Sequence, residues 1–287
     1  METTSITIGQ TEFNVPDTIP GINVMMLGGT GSGKTHAIRT LLDAGLEVFV
    51  LFTEPGMEVL SDTDPERLHW HYIPPASPDF ADMIDSAKKI NTMNLKMLSE
   101  MTDINKKKYT EFIDMLVALT DFPCDRTGKK YGSVDKWGSN RAFVLDSMSG
   151  LAIMAMNMVT GSKPVKSMAD WGMSMDNLER FMTKCCVDTK CHFILTAHLE
   201  RETDEVTGGT TLMASTLGKK LAPKLPRFFS DVIHVKREGT TWSWSTATSN
   251  VDLKARNLPI ADKIGPSFVP LIENWAKRNA VPKTEKA

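Results

Sequence analysis

Apolar residues along this chain fall into short unbroken blocks, separated by stretches in which they recur every three to four positions. Ile22 to Leu27, Glu47 to Phe52, Ala142 to Asp146 and His192 to Ala197 are blocks of five or six residues that are almost wholly apolar. A block this short, with no polar alternation, is the pattern of a strand covered on both faces. Leu68 to Ile73, closed by Pro74-Pro75, is a further strand. Ile6 to Val15 reads as a strand or hairpin ahead of the turn residues Pro16-Asp17 and Pro20-Gly21. Helical spacing predicts a helix from His36 to Ala44, ending at Gly45. It also predicts helical structure over residues 78–121, where Phe80, Met83, Ile84 and Ala87, then Phe112, Met115, Leu116 and Leu119, form apolar stripes. Leu151 to Val159, Asp170 to Asp188 and Phe268 to Arg278 follow the same spacing. Pro123 to Asn140 is polar and glycine-containing and reads as a loop or small hairpin, whereas Asp231 to Val235, Thr241 to Thr246 and Asn250 to Lys254 are short strands. Buried strands alternating with helices predict an α/β fold: a mostly parallel sheet with helices on both faces and a C-terminal β-hairpin region. No repeat or long linker divides it. The expected organisation is an N-terminal strand or arm over 1–20 and one domain over 21–287, with 75–140 as a helical insertion and loop.

Chemistry enters between the first buried strand and the helix after it. Gly28-Gly29-Thr30-Gly31-Ser32-Gly33-Lys34-Thr35 spells G-x-x-x-x-G-K-T, in the strand–loop–helix setting a phosphate-binding loop requires. Its glycines let successive backbone N–H groups turn inward onto a polyphosphate, and the helix start adds partial positive charge. Lys34 would reach the β- and γ-phosphates, and the Thr35 hydroxyl would hold Mg²⁺. ATP and Mg²⁺ are the expected cofactors.

Composition narrows the setting. The 287 residues are 41% hydrophobic, enough for a sizeable core, and no apolar run approaches a membrane span. The first ten residues are polar, with no basic region followed by an apolar stretch, so a cytoplasmic protein without membrane attachment is expected. The net charge of −2 argues against coating nucleic acid by bulk charge while leaving room for a local basic channel. Cys185, Cys186 and Cys191, with His192, match no paired-ligand spacing and read as core residues. His69 and His71 alternate in a strand without a third ligand beside them. Lys106-Lys107-Lys108 reads as a solvated helix face.

Three further polar positions stand at strand ends. Asp146 closes an apolar strand and precedes Ser147, where a carboxylate holds magnesium. Glu54 ends the strand after the loop helix, placed to orient and deprotonate a water. His198 follows Thr196-Ala197, where a polar side chain can sense the γ-phosphate.

That order of loop, glutamate strand, Asp-Ser strand and sensor strand resembles the RecA-type ATPase core over roughly residues 20 to 258, although His198 stands where recombinases often carry glutamine. Ser230 to Val235, a hairpin, then Lys254-Ala255-Arg256-Asn257 resemble the end of DnaB-type helicase and KaiC-like cores. The resemblance implies that Lys254 and Arg256 act as fingers on a neighbouring subunit's γ-phosphate in a homo-oligomeric ring or filament. A short core with Gly218 to Arg227, basic at Lys219, Lys220, Lys224 and Arg227, is similar to the phage RecA-core ATPases of single-strand annealing and recombination, the Sak-four group. That likeness implies action on single-stranded DNA with a single-strand-binding protein as partner. By position, the DNA loops would be Thr160 to Met168, with Lys163 and Lys166, and Arg201 to Ser215, with Arg201 and Gly208-Gly209. Trp171 is the aromatic residue at the edge of the first. A protein-directed motor for packaging or replication, and a nucleotide-dependent scaffold with little hydrolysis, are the other classes the sequence leaves open.

Overall fold

Two extended segments, β1 (Thr3–Ile8) and β2 (Thr11–Pro16), open the chain as an antiparallel hairpin. The computed structural model describes residues 2–76, 79–101, 106–203 and 209–281. Residues 77, 78 and 102–105 of the predicted helical stretch, Gly208, and the side chains of Lys106 and Lys219 lie outside the described set.

Beyond the hairpin the chain alternates. First come β3 (Asn23–Leu27), the short helices α1 (Lys34–Ala37) and α2 (Thr40–Asp43), then β4 (Glu47–Phe52) and β5 (Leu68–Tyr72). The insertion holds α3 (Phe80–Thr92), α4 (Leu95–Glu100) and α5 (Glu111–Thr120). After it come β6 (Arg141–Asp146), α6 (Met148–Thr160), α7 (Met168–Thr183) and β7 (His192–Ala197). A second hairpin, β8 (Leu199–Thr203) with β9 (Thr210–Ala214), leads to α8 (Gly218–Leu221). The chain closes with β10 (Asp231–Glu238), β11 (Thr241–Ser245) and α9 (Val269–Asn279).

Among the described residues, seven strands form one sheet in the order β11-β10-β3-β7-β6-β4-β5, with β11 antiparallel and the other six parallel. Strand alternation sorts its apolar residues onto two cores. Met25, Leu27, Phe49, Leu51, Phe143 and Leu195 face α5, α6 and α7. Val24, Met26, Val48, Val50, Val144 and Ile194 face the first hairpin and α9. This is the α/β, mostly parallel architecture of a P-loop NTPase. Leu27 pairs with Ala197, and Phe52 with Asp146, so the C-terminal ends of the central strands align on one rim. Ligands of open parallel sheets bind at that rim.

Several elements differ from expectation. Within the described part of the 78–121 stretch the helix is broken: Asp79 and Asn94 cap the starts of α3 and α4 by accepting from the Asp82 and Met97 amides, and α5 starts again at Glu111. The first predicted stripe does not reach the core: Phe80 is 83% exposed, and Met83 and Ile84 are exposed with it. Periodicity marked an apolar face there but not a partner to cover it; only α5 packs, through Phe112 and Met115. Lys106–Lys108 form a 3₁₀ turn, and Lys108 pairs with Asp82 at 2.5 Å. Asn250 to Lys254 makes isolated bridges, Val251 to Leu212 and Lys254 to Val232, in place of a strand. In the stretch from Arg201 to Ser215, expected as a loop, Arg201 to Thr203 and Thr210 to Ala214 pair as the β8–β9 ribbon.

Cys185, Cys186 and Cys191, and the His69–His71 pair, are held by packing and local pairing. Cys185 and Cys191 are buried in the first core, and burial pushes the Cys186 and Cys191 thiols up to about 12. His69 is enclosed against Phe49 and Tyr131, with Nε2 3.2 Å from Glu47, while His71 pairs with Asp125. Among the described residues no helix is long and apolar enough to cross a membrane.

Candidate nucleotide site

The loop from Gly28 to Gly33 leaves β3 at the aligned rim. Two of its glycines have no substitute. Gly33 has φ of 95°, in the left-handed region, and a Cβ there would stand 2.8 Å from the Trp242 ring. At Gly28 a Cβ would meet the Ser32 hydroxyl at 2.5 Å and the Val235 carbonyl at 2.7 Å.

Lys34 begins α1 and folds back over the loop, its ammonium donating to the carbonyls of Gly28 at 2.8 Å and Gly29 at 3.0 Å. Burial lowers its pKa, and the negative charges of Asp146 and Glu54 oppose that shift. The next residue, Thr35, donates its hydroxyl to Asp146 Oδ2 at 2.7 Å. Asp146 Oδ1 accepts from Thr196 at 2.5 Å, which is possible because β7 lies between β3 and β6.

Thr53 fastens the end of β4 to the Asp146-Ser147 peptide. Its amide donates to the Asp146 carbonyl at 2.8 Å, and its hydroxyl both donates to the Ser147 carbonyl at 2.8 Å and accepts from the Ser147 amide at 2.9 Å. Glu54, next in chain, is therefore held near the Asp146 strand end. Its Oε2 is 3.4 Å from His198 Nε2, at the end of β7, and both side chains are about one-third exposed.

These groups line one cavity of about 700 Å³, which includes Thr30, Gly31, Ser32 and Gly33 of the loop with Lys34, Thr35, Glu54, Asp146 and His198. Its size suits a nucleotide. Thr35 and Asp146 present oxygen donors side by side, the set a hard cation such as Mg²⁺ takes. Together the fold and the loop define a P-loop nucleotide-binding protein.

The remaining predicted residues lie elsewhere. Lys254 gives its ammonium to the carbonyls of Pro226 at 3.1 Å and Phe229 at 2.6 Å. It bridges Val232 near the start of β10, the end of that strand away from the loop. Arg256 is exposed there, its amide donating to Asp231. Lys163 is mostly buried, 2.8 Å from Asp170, which holds the Asp170 carboxyl down at about 2. Lys166 is exposed between α6 and α7, and Arg201 is exposed on β8. Lys224 and Arg227 both pair with Glu179.

Other residues at the site carry weaker sequence signals. Thr53 and Thr196 are polar residues at the ends of apolar strands, a pattern visible in the chain. Trp242, Arg237 and Pro266 reach the loop from more than 200 residues away, and no local signal marks them.

A family profile described as an AAA domain matches residues 21–258, and the chain belongs to that family. One similar solved structure is a prototypical ATPase from the type III secretion system of pathogenic bacteria. It is 13% identical, with a TM-score of 0.38, over 80% of this chain and 54% of that one. The chain thus spans about half the length of that structure. A search of curated protein sequences gives no match.

Proposed function

We propose that this chain is a Mg²⁺-dependent ATP hydrolase of RecA-like type that acts on single-stranded DNA. The observation that supports hydrolysis, beyond binding, is the Glu54–His198 pair facing the same cavity as Lys34 and the Thr35–Asp146 pair. Lys34 exchanges two loop carbonyls for the β- and γ-phosphates. Thr35 and Asp146 would hold Mg²⁺, which supplies charge neutralisation on those phosphates when bound. Glu54 accepts the proton of the attacking water as the bond from the γ-phosphorus to the bridging oxygen breaks, leaving ADP and phosphate.

The β8–β9 ribbon supports an effector-coupled role. It starts one residue after His198, and Ser215 donates to the His198 carbonyl at 2.7 Å, so His198 forms the ribbon's base. A strand of nucleic acid lying on the exposed ribbon, at Arg201, would bear on Glu54 through His198. In the same reading the chain works in the cytoplasm as a ring or filament of identical subunits, as the RecA-type cores it resembles do. It serves recombination, repair or replication, with a single-strand-binding protein as partner.

The test is ATP turnover by the full chain and by Glu54→Gln, each with and without single-stranded DNA. Losing a positioned general base is expected to slow turnover by about 10²–10⁴-fold while Mg-ATP still binds. Stimulation by DNA in the unaltered chain supports the effector. Turnover that DNA does not change points to a protein-directed motor, and binding without turnover points to a nucleotide-dependent scaffold.

A further inference from the structure

Trp242 is 44% exposed, although Trp244, two residues along the same face of β11, is fully buried against Phe268. The core ends between them, and Trp242 stands over Gly33 and lines the nucleotide cavity. Directly across the β10–β11 ladder, Arg237 lays its guanidinium 5.2 Å from the Trp242 ring centroid and anchors its Nε on the Gly239 carbonyl at 3.0 Å. The ring is thereby braced at its strand pairing while leaving much of its surface open. Once the loop, Asp146, Glu54 and His198 are given to phosphates, metal and water, the remaining cavity wall is largely apolar. Pro55, Val59, Val235, Trp242 and Pro266 stand there, and among the described lining residues His36 is the one that adds an ionisable polar side chain.

We propose that Trp242 is the platform on which the nucleobase stacks, and that the site takes purine nucleoside triphosphates by stacking and apolar burial without reading the base edge. A flat purine covers the open indole, gaining contact area that neither the triphosphate nor the metal provides. Hydrogen-bond readout of a base requires several fixed donors and acceptors, and this wall offers one imidazole. Arg237 is a positioning residue, acting through the indole. The inference rests on the nucleotide-binding reading and extends it from the phosphates to the base.

The test is calorimetric titration of the full chain, Trp242→Ala and Trp242→Phe with Mg-ATP, Mg-GTP and inorganic tripolyphosphate. Trp242→Ala is expected to bind ATP and GTP about tenfold more weakly, the scale of one lost base–aromatic stack. Its tripolyphosphate affinity stays within about twofold, and Trp242→Phe, which keeps an aromatic face, retains most of the purine affinity. Equal weakening for tripolyphosphate would show that Trp242 only shapes the loop, and unchanged ATP affinity would overturn the platform directly. A preference above about tenfold between ATP and GTP in the unaltered chain, more than the net worth of about one hydrogen bond, would overturn the edge-blind reading. If the unaltered chain binds tripolyphosphate but no purine nucleotide, the base site fails and the phosphate loop stands; if it binds neither, both readings fall.

Discussion

Lys34 shows how a single side chain can be costly to the empty fold and central to the filled one. The residue is 7% exposed and its ammonium rests on two carbonyls, with burial working against its charge. Lys34→Ala is therefore expected to leave the melting temperature of the nucleotide-free chain unchanged or higher. Mg-ATP affinity should fall by about 10²-fold, the scale of losing two charge-assisted hydrogen bonds. Calorimetry and a thermal melt on one preparation check both halves. A second residue sets a pH limit on stability. His192 is fully buried between β3 and the loop before β6, accepting from the Ile22 amide at 3.0 Å and donating to the Ser139 carbonyl at 2.8 Å. Burial lowers its pKa from 6.5 to about 4. The unfolded chain takes up a proton below about pH 6.5 that the folded chain refuses until about pH 4, so stability present above 6.5 is lost as pH falls through that window. Urea unfolding at pH 5 should read about 2 kcal/mol less stability than at pH 7 from this group. A flat profile between those pH values would contradict the assignment.

Among the elements, the joint between β4 and the start of α6 governs the site. Thr53 binds the Ser147 peptide from both sides, and Gly150 lets α6 approach so closely that a Cβ would stand 2.7 Å from the Thr53 carbonyl. Gly150→Ala is expected to push α6 off this joint, costing about 1–3 kcal/mol in urea unfolding, the range for overpacking a closed contact. Turnover should fall with it, since Asp146 and Glu54 move with the same strand ends. Full stability and turnover in this variant would show that the joint yields without consequence. The contrast with α3 is instructive. Its stripe of Phe80, Met83 and Ile84 obeys the same spacing as the α5 stripe, yet only α5 lies against the sheet. Spacing reports which residues share a face; the neighbour that covers the face comes from chain topology.

For the molecule as a whole, the proposed assembly concerns Arg256. Lys254 is spent on carbonyls of its own chain, so of the two finger candidates Arg256 is the exposed one. It sits near the start of β10, at the end of the sheet opposite its own loop, so a finger role for it would be played on another subunit's nucleotide. Arg256→Ala and Lys34→Ala subunits are each expected to be inactive alone. A mixture should recover part of the turnover, because some interfaces pair an intact loop with an intact arginine. Full activity of a strictly monomeric chain, or no recovery in a verified mixed assembly, would remove the finger.

The strands, the phosphate loop and Asp146 were legible in the amino-acid sequence because each rests on local physics. Apolar blocks must be covered on both faces, and the glycines of the loop admit backbone shapes other residues resist. The first hairpin, β3 to β7 and α9 follow from such rules. Tertiary structure alone decided which of these pieces meet. Thr35 and Asp146 are 111 positions apart, and Glu54 and His198 are 144 apart; they converge because the order β3-β7-β6-β4 aligns four strand ends on one rim. Strand order also turned Lys254 inward onto Pro226 and Phe229, and set Trp242 over Gly33. A contact between distant residues depends on how all the intervening elements pack, and no local pattern carries that information.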